Sequence, residues 1–362
     1  MIPQNDVALS TEKKMSPDFV RISAASAIAL RLQSGRFSRE FEFGGINLLL
    51  NYEDGCMSDC GYCGLARTRP GEYEEKSFIR VEWPLVDTDL LVDRMAEHHD
   101  KLTRLCISMV THGHAYRDTV DITKRLNKKI TAPLSILVAP PTLNKEKLQV
   151  FKDLGVDMIG VGLDAVNENV FRQHRTDVPN GSLRWKNYWD IINYSREIFG
   201  PWKVNIHTVV GLGETDKDLI DLFYHLRENQ ILPYLFSFNP EPDSRMGNWD
   251  KASITRWRRI QLVKHLIENY DYDQSNVKFD EKGFINQIKT TDNSISRVLN
   301  SLDKGIPFMT NGCPNEAGTE VGCSRPYGSY KPSETFRDFP FQPVEDDLTL
   351  IRSELALEEI TN

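Results

Sequence analysis

From Gly44 onward, short β-branched apolar runs alternate with longer amphipathic stretches, the rhythm of βα units in a parallel sheet. The runs Ile46–Tyr52, Leu105–Val110, Leu134–Val138, Met158–Leu163, Lys203–Val210, Tyr234–Asn239, Val277–Phe279 and Ile306–Thr310 read as strands. Between them, Thr88–His98, Thr119–Asn127, Asn144–Leu154, Trp185–Phe199, Asp216–Asn229, Ile254–Asn269 and Ser294–Leu302 carry the 3.6-residue period of helices. Eight strands with interleaved helices predict an α/β fold, a (β/α)8 TIM-type barrel. A partial (β/α)6 barrel with an irregular tail is the alternative, because the last two runs carry the pattern least clearly.

Before the barrel, "SPDFVRISAASAIALRLQSGRF" predicts a helix with Ser16 as N-cap, Pro17 in its first turn and Gly35 past its end. After it, "NGCPNEAGTEVGCSRPYGSYKPSETFRDFPFQP" is rich in Gly, Pro, Ser and Thr and predicts a long irregular segment, a kind that in a compact protein is often functional. "VEDDLTLIRSELALEEI" then predicts a closing amphipathic helix. The expected organisation is a helical extension over 1–43, a barrel over 44–312 and a C-terminal segment over 313–362.

Composition narrows the class. Of 362 residues, 40% are hydrophobic and 27% charged, as in a globular protein with a large core. The net charge of −8 argues against a broad basic face for nucleic acid. The start lacks the basic-then-apolar pattern of a secretory signal, and "ISAASAIALRL" is too short and too interrupted to span a bilayer. The expectation is a cytoplasmic protein without membrane or nucleic-acid partners, whose six cysteines are ligands or buried thiols.

Three of those cysteines, Cys56, Cys60 and Cys63, fall in "NYEDGCMSDCGYCGLARTRPGEYE" directly after the first strand. That loop lies at the C-terminal mouth of a barrel, where this fold carries its chemistry. Three thiolates can bind three irons of a [4Fe–4S] cluster and leave the fourth open to a ligand. The alternative is a zinc site, which asks for a fourth Cys or His that the neighbourhood does not supply.

Cys-x3-Cys-x2-Cys after the first barrel strand resembles the hallmark of the radical S-adenosylmethionine (SAM) superfamily. The resemblance implies a [4Fe–4S] cluster whose open iron chelates SAM, and reductive cleavage of SAM to a 5′-deoxyadenosyl radical. It places Tyr62 near the adenine. "VVGLGET" resembles the SAM-contacting turn of biotin synthase and its relatives, which implicates Gly211 and Gly213, and a helix N-terminus there would offer free N–H groups. "VGLDAVNENVFRQHR" is similar to the strand-four region of those enzymes, with Asp164 toward the ribose hydroxyls and Arg175 toward the methionine carboxylate. Thr111 and His112, in "SMVTHGH", stand by position where backbone carbonyls bind the methionyl amine.

The other three cysteines bear on the reaction. Cys106 lies where biotin synthase has a ligand of its second cluster, but Ser135 and Asn205 stand near the expected places of two further ligands. No cysteine precedes Cys56, which excludes the bacterial-type lipoyl synthase with its upstream triplet. Cys313 and Cys323, expected at the barrel mouth, would ligate a second, auxiliary cluster or form a disulfide. Cys106 would be its third ligand or a buried thiol, and Ser324 or Ser329 a fourth. The barrel together with "GCP…CSRPY" resembles a subunit of the two-component lipoyl synthases.

That resemblance implies sulfur insertion at C6 and C8 of an octanoyl chain on a carrier-protein lysine, with the auxiliary cluster as sulfur source. It also implies a second lipoyl synthase subunit, an octanoylated lipoyl carrier protein and an electron donor such as ferredoxin or flavodoxin. "FSFNPEPDSRM" would line the octanoyl channel. Two other readings stay open: another biotin-synthase-like radical enzyme (biotin synthase itself or a cofactor-building mutase), and a non-catalytic iron–sulfur scaffold.

Overall fold

The computed structural model describes residues 14–77, 81–289 and 304–359. The first strand, β1 (Phe19–Ile22), lies where a helix was expected, and only Ala24–Ala29 (α1) is helical. The reason is local. Val20, Arg21 and Ile22 form an extended, buried run, and Ser23 then starts the short helix by accepting from the Ser26 N–H.

Strand β2 (Gly45–Leu50) is buried along its whole length. The chain continues through β3 (Leu85–Asp87), α2 (Thr88–Glu97), β4 (Arg104–Ser108), α3 (Ala115–Asn127), β5 (Leu134–Val138) and α4 (Lys145–Asp153). Then come β6 (Met158–Asp164), α5 (Glu168–Phe171), α6 (Trp185–Phe199), β7 (Val204–Val210), α7 (Asp216–Glu228), β8 (Leu232–Ser237) and α8 (Ile254–Asn269). A hairpin, β9 (Val277–Phe279) with β10 (Ile285–Ile288), precedes the C-terminal segment, which ends in α9 (Glu345–Leu355).

The sheet order is β3-β1-β2-β4-β5-β6-β7-β8, with β2 and β4 to β8 parallel and β1 antiparallel to both its neighbours. The fold is therefore α/β of TIM type in its six-stranded form. Six of the eight expected strands are barrel staves. Val277–Phe279 is a strand but belongs to the separate hairpin, where it pairs with Ile285–Ile288. Ile306–Phe308 is a single 3-10 turn, started by Gly305 in the left-handed region and by Pro307, which brings no N–H to a sheet ladder. The expected helix Ser294–Leu302 lies outside the described residues.

Because β8 finds no further strand among the described residues, the C-terminal segment completes the wall. Ser329 Oγ accepts from the Ser237 N–H at 3.3 Å, and Arg337 donates to Ser237 Oγ at 3.0 Å. At the start of β4, Thr103 Oγ1 donates to the Gly322 carbonyl at 2.6 Å, and the buried Arg104 donates to the Pro314 carbonyl. Gly45 is required at this seam, since a Cβ there would stand 2.9 Å from the Gly322 oxygen. Both Thr103 and Arg104 stand at the start of β4, so the segment closes the N-terminal base of the barrel. A 3-10 turn and irregular chain hold this position through an aromatic cluster, in which Phe336 and Phe339 pack with Phe341. No helix among the described residues is long and apolar enough to cross a membrane.

Candidate active site

Alternate residues of a strand face one side of a sheet, and here that side is the barrel interior. On β7 the inward set is Asn205, His207 and Val209; on β4 it includes Arg104, Cys106 and Ser108. These residues line a cavity of about 290 Å³ whose wall also includes all six cysteines.

Cys56, Cys60 and Cys63 follow β2 at the C-terminal mouth, as expected. Their loop is held from several sides. The Met57 N–H donates to the Thr111 carbonyl at 2.7 Å, and the Gly61 N–H to the His174 carbonyl at 2.9 Å. The Gly61 carbonyl accepts from Met246 at 3.1 Å. Asp59 accepts from Thr68 and pairs with Arg245 at 2.8 Å. The three thiols are thus presented by a fixed loop. Thr111 meets this loop through its carbonyl, while His112 stacks on Tyr52 at 3.8 Å and lies 3.1 Å from Asp54.

Next to that loop, the Tyr62 hydroxyl donates to Asp164 Oδ2 at 2.5 Å. Asp164 ends β6 with φ of 60°, a left-handed conformation that turns its carboxylate toward the mouth. Arg175 lies 3.5 Å from the same oxygen, and donates to the Gly162 and Leu163 carbonyls at 2.6 and 2.9 Å and to the Tyr188 hydroxyl at 2.8 Å. It reaches this place from a π-helical turn, Arg172–Thr176. Tyr62, Thr111, Asp164 and Arg175 all line the cavity.

The glycine turn does not. Gly211 and Gly213 adopt φ of 113° and 103°, which side chains avoid, but neither is on the cavity wall. Glu214 folds back on the turn, accepting from the Gly211 and Leu212 N–H groups at 2.8 Å each. Arg256 pairs with Glu214 and Asp216, and Thr215 with Asp218 forms a capping box on α7. The amides expected to be free for a ligand at Gly211, Leu212 and Thr215 are occupied by the protein's own carboxylates. The turn reaches the site indirectly, through the Leu212 carbonyl, which lies 2.8 Å from His174 Nε2.

Cys106, Cys313 and Cys323 gather at the opposite end. The expectation that the last two lie at the mouth is corrected: their loop is the one that plugs the base, since β2 and β4 meet Gly322 and Pro314 with their first residues. Cys106 lies within β4, whereas Thr111, whose carbonyl meets the Cys56–Cys63 loop, follows its C-terminal end. The Asn205 amide donates toward Cys313 Sγ at 3.5 Å, and the Cys323 thiol donates toward Asn47 Oδ1 at 3.5 Å. Ser135 and Asn205 share this layer, so polar residues stand beside the three thiols. Ser135 Oγ is engaged by Arg104 at 2.8 Å, and Arg104 also pairs with Asp157 at 2.7 Å. Of the hydroxyls considered as a fourth ligand, Ser329 is spent on Asp338 at 2.8 Å, and neither it nor Ser324 lines the cavity.

Burial raises the thiols of Cys56 and Cys106, raises Cys63 strongly and pushes Cys323 up to about 11. The metal-free protein therefore holds these four as neutral thiols, and taking up a metal releases protons. Among the described residues no three His, Cys, Asp or Glu side chains are close enough to share a single ion. An iron–sulfur cluster asks for a wider arrangement, with each thiolate on a different iron. The cavity wall also fits an occupant. Six polar atoms, Ser58 Oγ, Arg175 Nε, Asn205 Oδ1, Tyr234 OH, Asn239 Oδ1 and Arg325 Nε, are buried there without a nitrogen or oxygen partner. Buried polar groups normally have partners, so their concentration on one wall marks a binding site.

Sequence reasoning missed His207, Tyr234 and Arg325. His207 and Tyr234 show a legible signal, a polar residue at an inward, alternating position of an otherwise apolar strand. Arg325 comes from irregular chain and had none. Of the stretch from Phe236 to Met246, Phe236, Ser237, Phe238, Asn239 and Glu241 line the cavity.

Residues 50–225 match the family model described as the radical SAM superfamily. The biotin synthase of Staphylococcus haemolyticus is 24% identical over 277 residues, covering 75% of this chain and 79% of that protein. The biotin synthase of Macrococcus caseolyticus is 25% identical over 285 residues, covering 75% and 77%. An uncharacterized protein of Methanocaldococcus jannaschii is 25% identical over 215 residues, covering 58% of this chain and about half, 52%, of its own length. Among solved structures, the FeFe-hydrogenase maturase of Carboxydothermus hydrogenoformans aligns with a TM-score of 0.49 at 14% identity, covering 91% of this chain and 70% of the other. Methylornithine synthase aligns at 0.47 and 11%, covering 66% and 68%.

Proposed function

We propose that this chain, whose residues 50–225 match the radical SAM superfamily model and which is similar to biotin synthases, inserts sulfur into a protein-bound octanoyl chain to make the lipoyl group. The observation that carries the reading is the pairing of two thiol triads, Cys56/Cys60/Cys63 and Cys106/Cys313/Cys323, on the wall of one cavity. When bound, a [4Fe–4S] cluster with SAM supplies a 5′-deoxyadenosyl radical able to take hydrogen from an unactivated carbon, and a second cluster supplies the sulfur.

The protein's own part is placement. Cys56, Cys60 and Cys63 hold the first cluster at the mouth, and Asp164 with Tyr62 and Arg175 receives SAM beside it. Cys106, Cys313 and Cys323 hold the second at the base. Leu49, Leu137, Val209 and Phe236 line the cavity and suit an aliphatic chain. The plug over 304–343 shuts water out at the base, which keeps a carbon radical from meeting solvent.

Biotin synthase is the nearest rival on the relatives. It is disfavoured because Ser135 and Asn205, near two expected ligand places, have an engaged hydroxyl and an amide, and the two plug cysteines supply thiols at this layer instead. A second lipoyl synthase subunit, an octanoylated carrier protein and a ferredoxin- or flavodoxin-like donor complete the proposal, set in the cytoplasm. The test adds an octanoyl-lysine peptide, SAM and reductant to the anaerobically reconstituted chain, with and without a partner subunit. Thiolated peptide together with 5′-deoxyadenosine supports the reading. Deoxyadenosine without thiolated peptide under every pairing defeats it.

A further inference from the structure

Arg325 is a cation on the cavity wall that forms no ion pair among the described residues. It follows Cys323 by two residues. Its Nη2 donates to the Asn311 carbonyl at 2.7 Å, and its guanidinium lies over the Phe236 ring, 4.2 Å from the centroid. Its Nε is buried with no partner. Among the described residues it forms no ion pair, whereas Arg104 on the same wall is paired with Asp157. Asp338, an acid within its electrostatic reach, is turned to Ser329 instead.

The residue is half-buried, a guanidinium does not lose its proton, and the one buried N–H without a partner asks for an acceptor. Among the described residues none accepts from this N–H, and what fills the cavity can. Cys106, Cys313 and Cys323 line the same cavity as Arg325. Three thiolates on a four-iron core of charge two plus leave one net negative charge, the complement of one unpaired arginine.

We propose that Arg325 is the counter-ion of the iron–sulfur group held by Cys106, Cys313 and Cys323, with its free Nε donating to a sulfur of that group. This rests on reading those thiols as ligands. Phe236 and Asn311 fix the guanidinium plane, so the unpartnered Nε–H is directed, as a lysine ammonium would not be. Arg325 is a positioning and tuning residue: it favours the more negative, reduced state of the group without binding iron.

The test uses the full chain with Cys56→Ala, Cys60→Ala and Cys63→Ala, so that only the basal group remains after anaerobic reconstitution with iron and sulfide. Iron content and the midpoint potential, followed by electron paramagnetic resonance, are compared for this parent and its Arg325→Gln and Arg325→Lys forms. The proposal expects a lower potential in Arg325→Gln, and recovery of most of the shift in Arg325→Lys. Loss of iron in Arg325→Gln with retention in Arg325→Lys also supports it. An unchanged potential at full iron content in Arg325→Gln overturns it, and so does loss of iron from both forms while they remain folded. A parent that binds no iron defeats the ligand reading itself, and the inference with it.

Discussion

The Tyr62 hydroxyl donates to Asp164 Oδ2 at 2.5 Å and so joins the cysteine loop to the end of β6. If this carboxylate receives the SAM ribose, Asp164→Asn weakens SAM binding by roughly 10-fold or more, the worth of a charge-assisted hydrogen bond. Asparagine tolerates the left-handed backbone at this position, so the fold and the iron content stay at the parent level. Equilibrium binding of SAM to reconstituted protein, with an iron count on the same sample, checks both halves.

The plug cysteines carry a separate prediction. A Cys313→Ala/Cys323→Ala double variant loses the iron and sulfide of the basal group and keeps that of the Cys56/Cys60/Cys63 cluster. Anaerobic iron and sulfide counts should fall by about half if both groups are four-iron clusters. Unchanged counts would end the auxiliary-cluster reading.

Arg104 ties the plug to the barrel through Pro314, and meets Ser135 and Asp157 within the base. Arg104→Ala leaves the Pro314 carbonyl unpaired and strips Asp157 of one of its two cations, a loss of about 3 kcal/mol or more. Limited proteolysis should then cut within 304–343 sooner than in the parent. Lys203 still holds Asp157 at 2.5 Å, so the barrel itself stays folded.

The glycine turn should behave as structure and not as a ligand contact. At Gly211 a Cβ would stand 3.1 Å from the Phe238 Cβ with φ of 113°, whereas at Gly213 it would meet nothing within 4 Å. Both alanine variants lose stability by about 1–3 kcal/mol through backbone strain, Gly211→Ala by more. SAM affinity of the folded fraction is unchanged in both, as read by denaturant titration alongside ligand binding.

Asp338 gives a pH signature. Burial raises its carboxyl to about 6 from the ordinary value near 3.8. The folded state thus holds a proton that the unfolded chain has already released, so this group makes stability fall as pH rises from about 4 to 6, with the loss complete above that window. The full effect is at most about 3 kcal/mol. Urea unfolding at pH 4.5 and pH 7 should show Asp338→Asn gaining stability relative to the parent on going from the lower pH to the higher.

The barrel was legible because six strands and their helices repeat one pattern that local residues enforce. Trp185–Phe199 and Ile254–Asn269 have the expected limits for that reason. Val277–Phe279 was legible as a strand but not as a hairpin partner, since pairing depends on Ile285–Ile288 across a turn. The stretch Phe19–Ile22 was hidden behind the helix signals of Ser16, Pro17 and the alanines that follow. The cysteine loop could be read because its chemistry is compressed into eight residues. The basal triad could not be placed, because Cys106 meets Cys313 and Cys323 only after an irregular segment has folded under the barrel. Arg325 was invisible for the same reason.

The most direct test of the account is the fate of the basal sulfur. The chain is reconstituted with isotopically labelled sulfide, freed of excess, and given SAM, reductant, partner subunit and octanoyl-lysine peptide. The account predicts labelled sulfur in the peptide, lost when Cys313 and Cys323 are both replaced. A peptide that forms with unlabelled sulfur only, or equally well in the double variant, would contradict it.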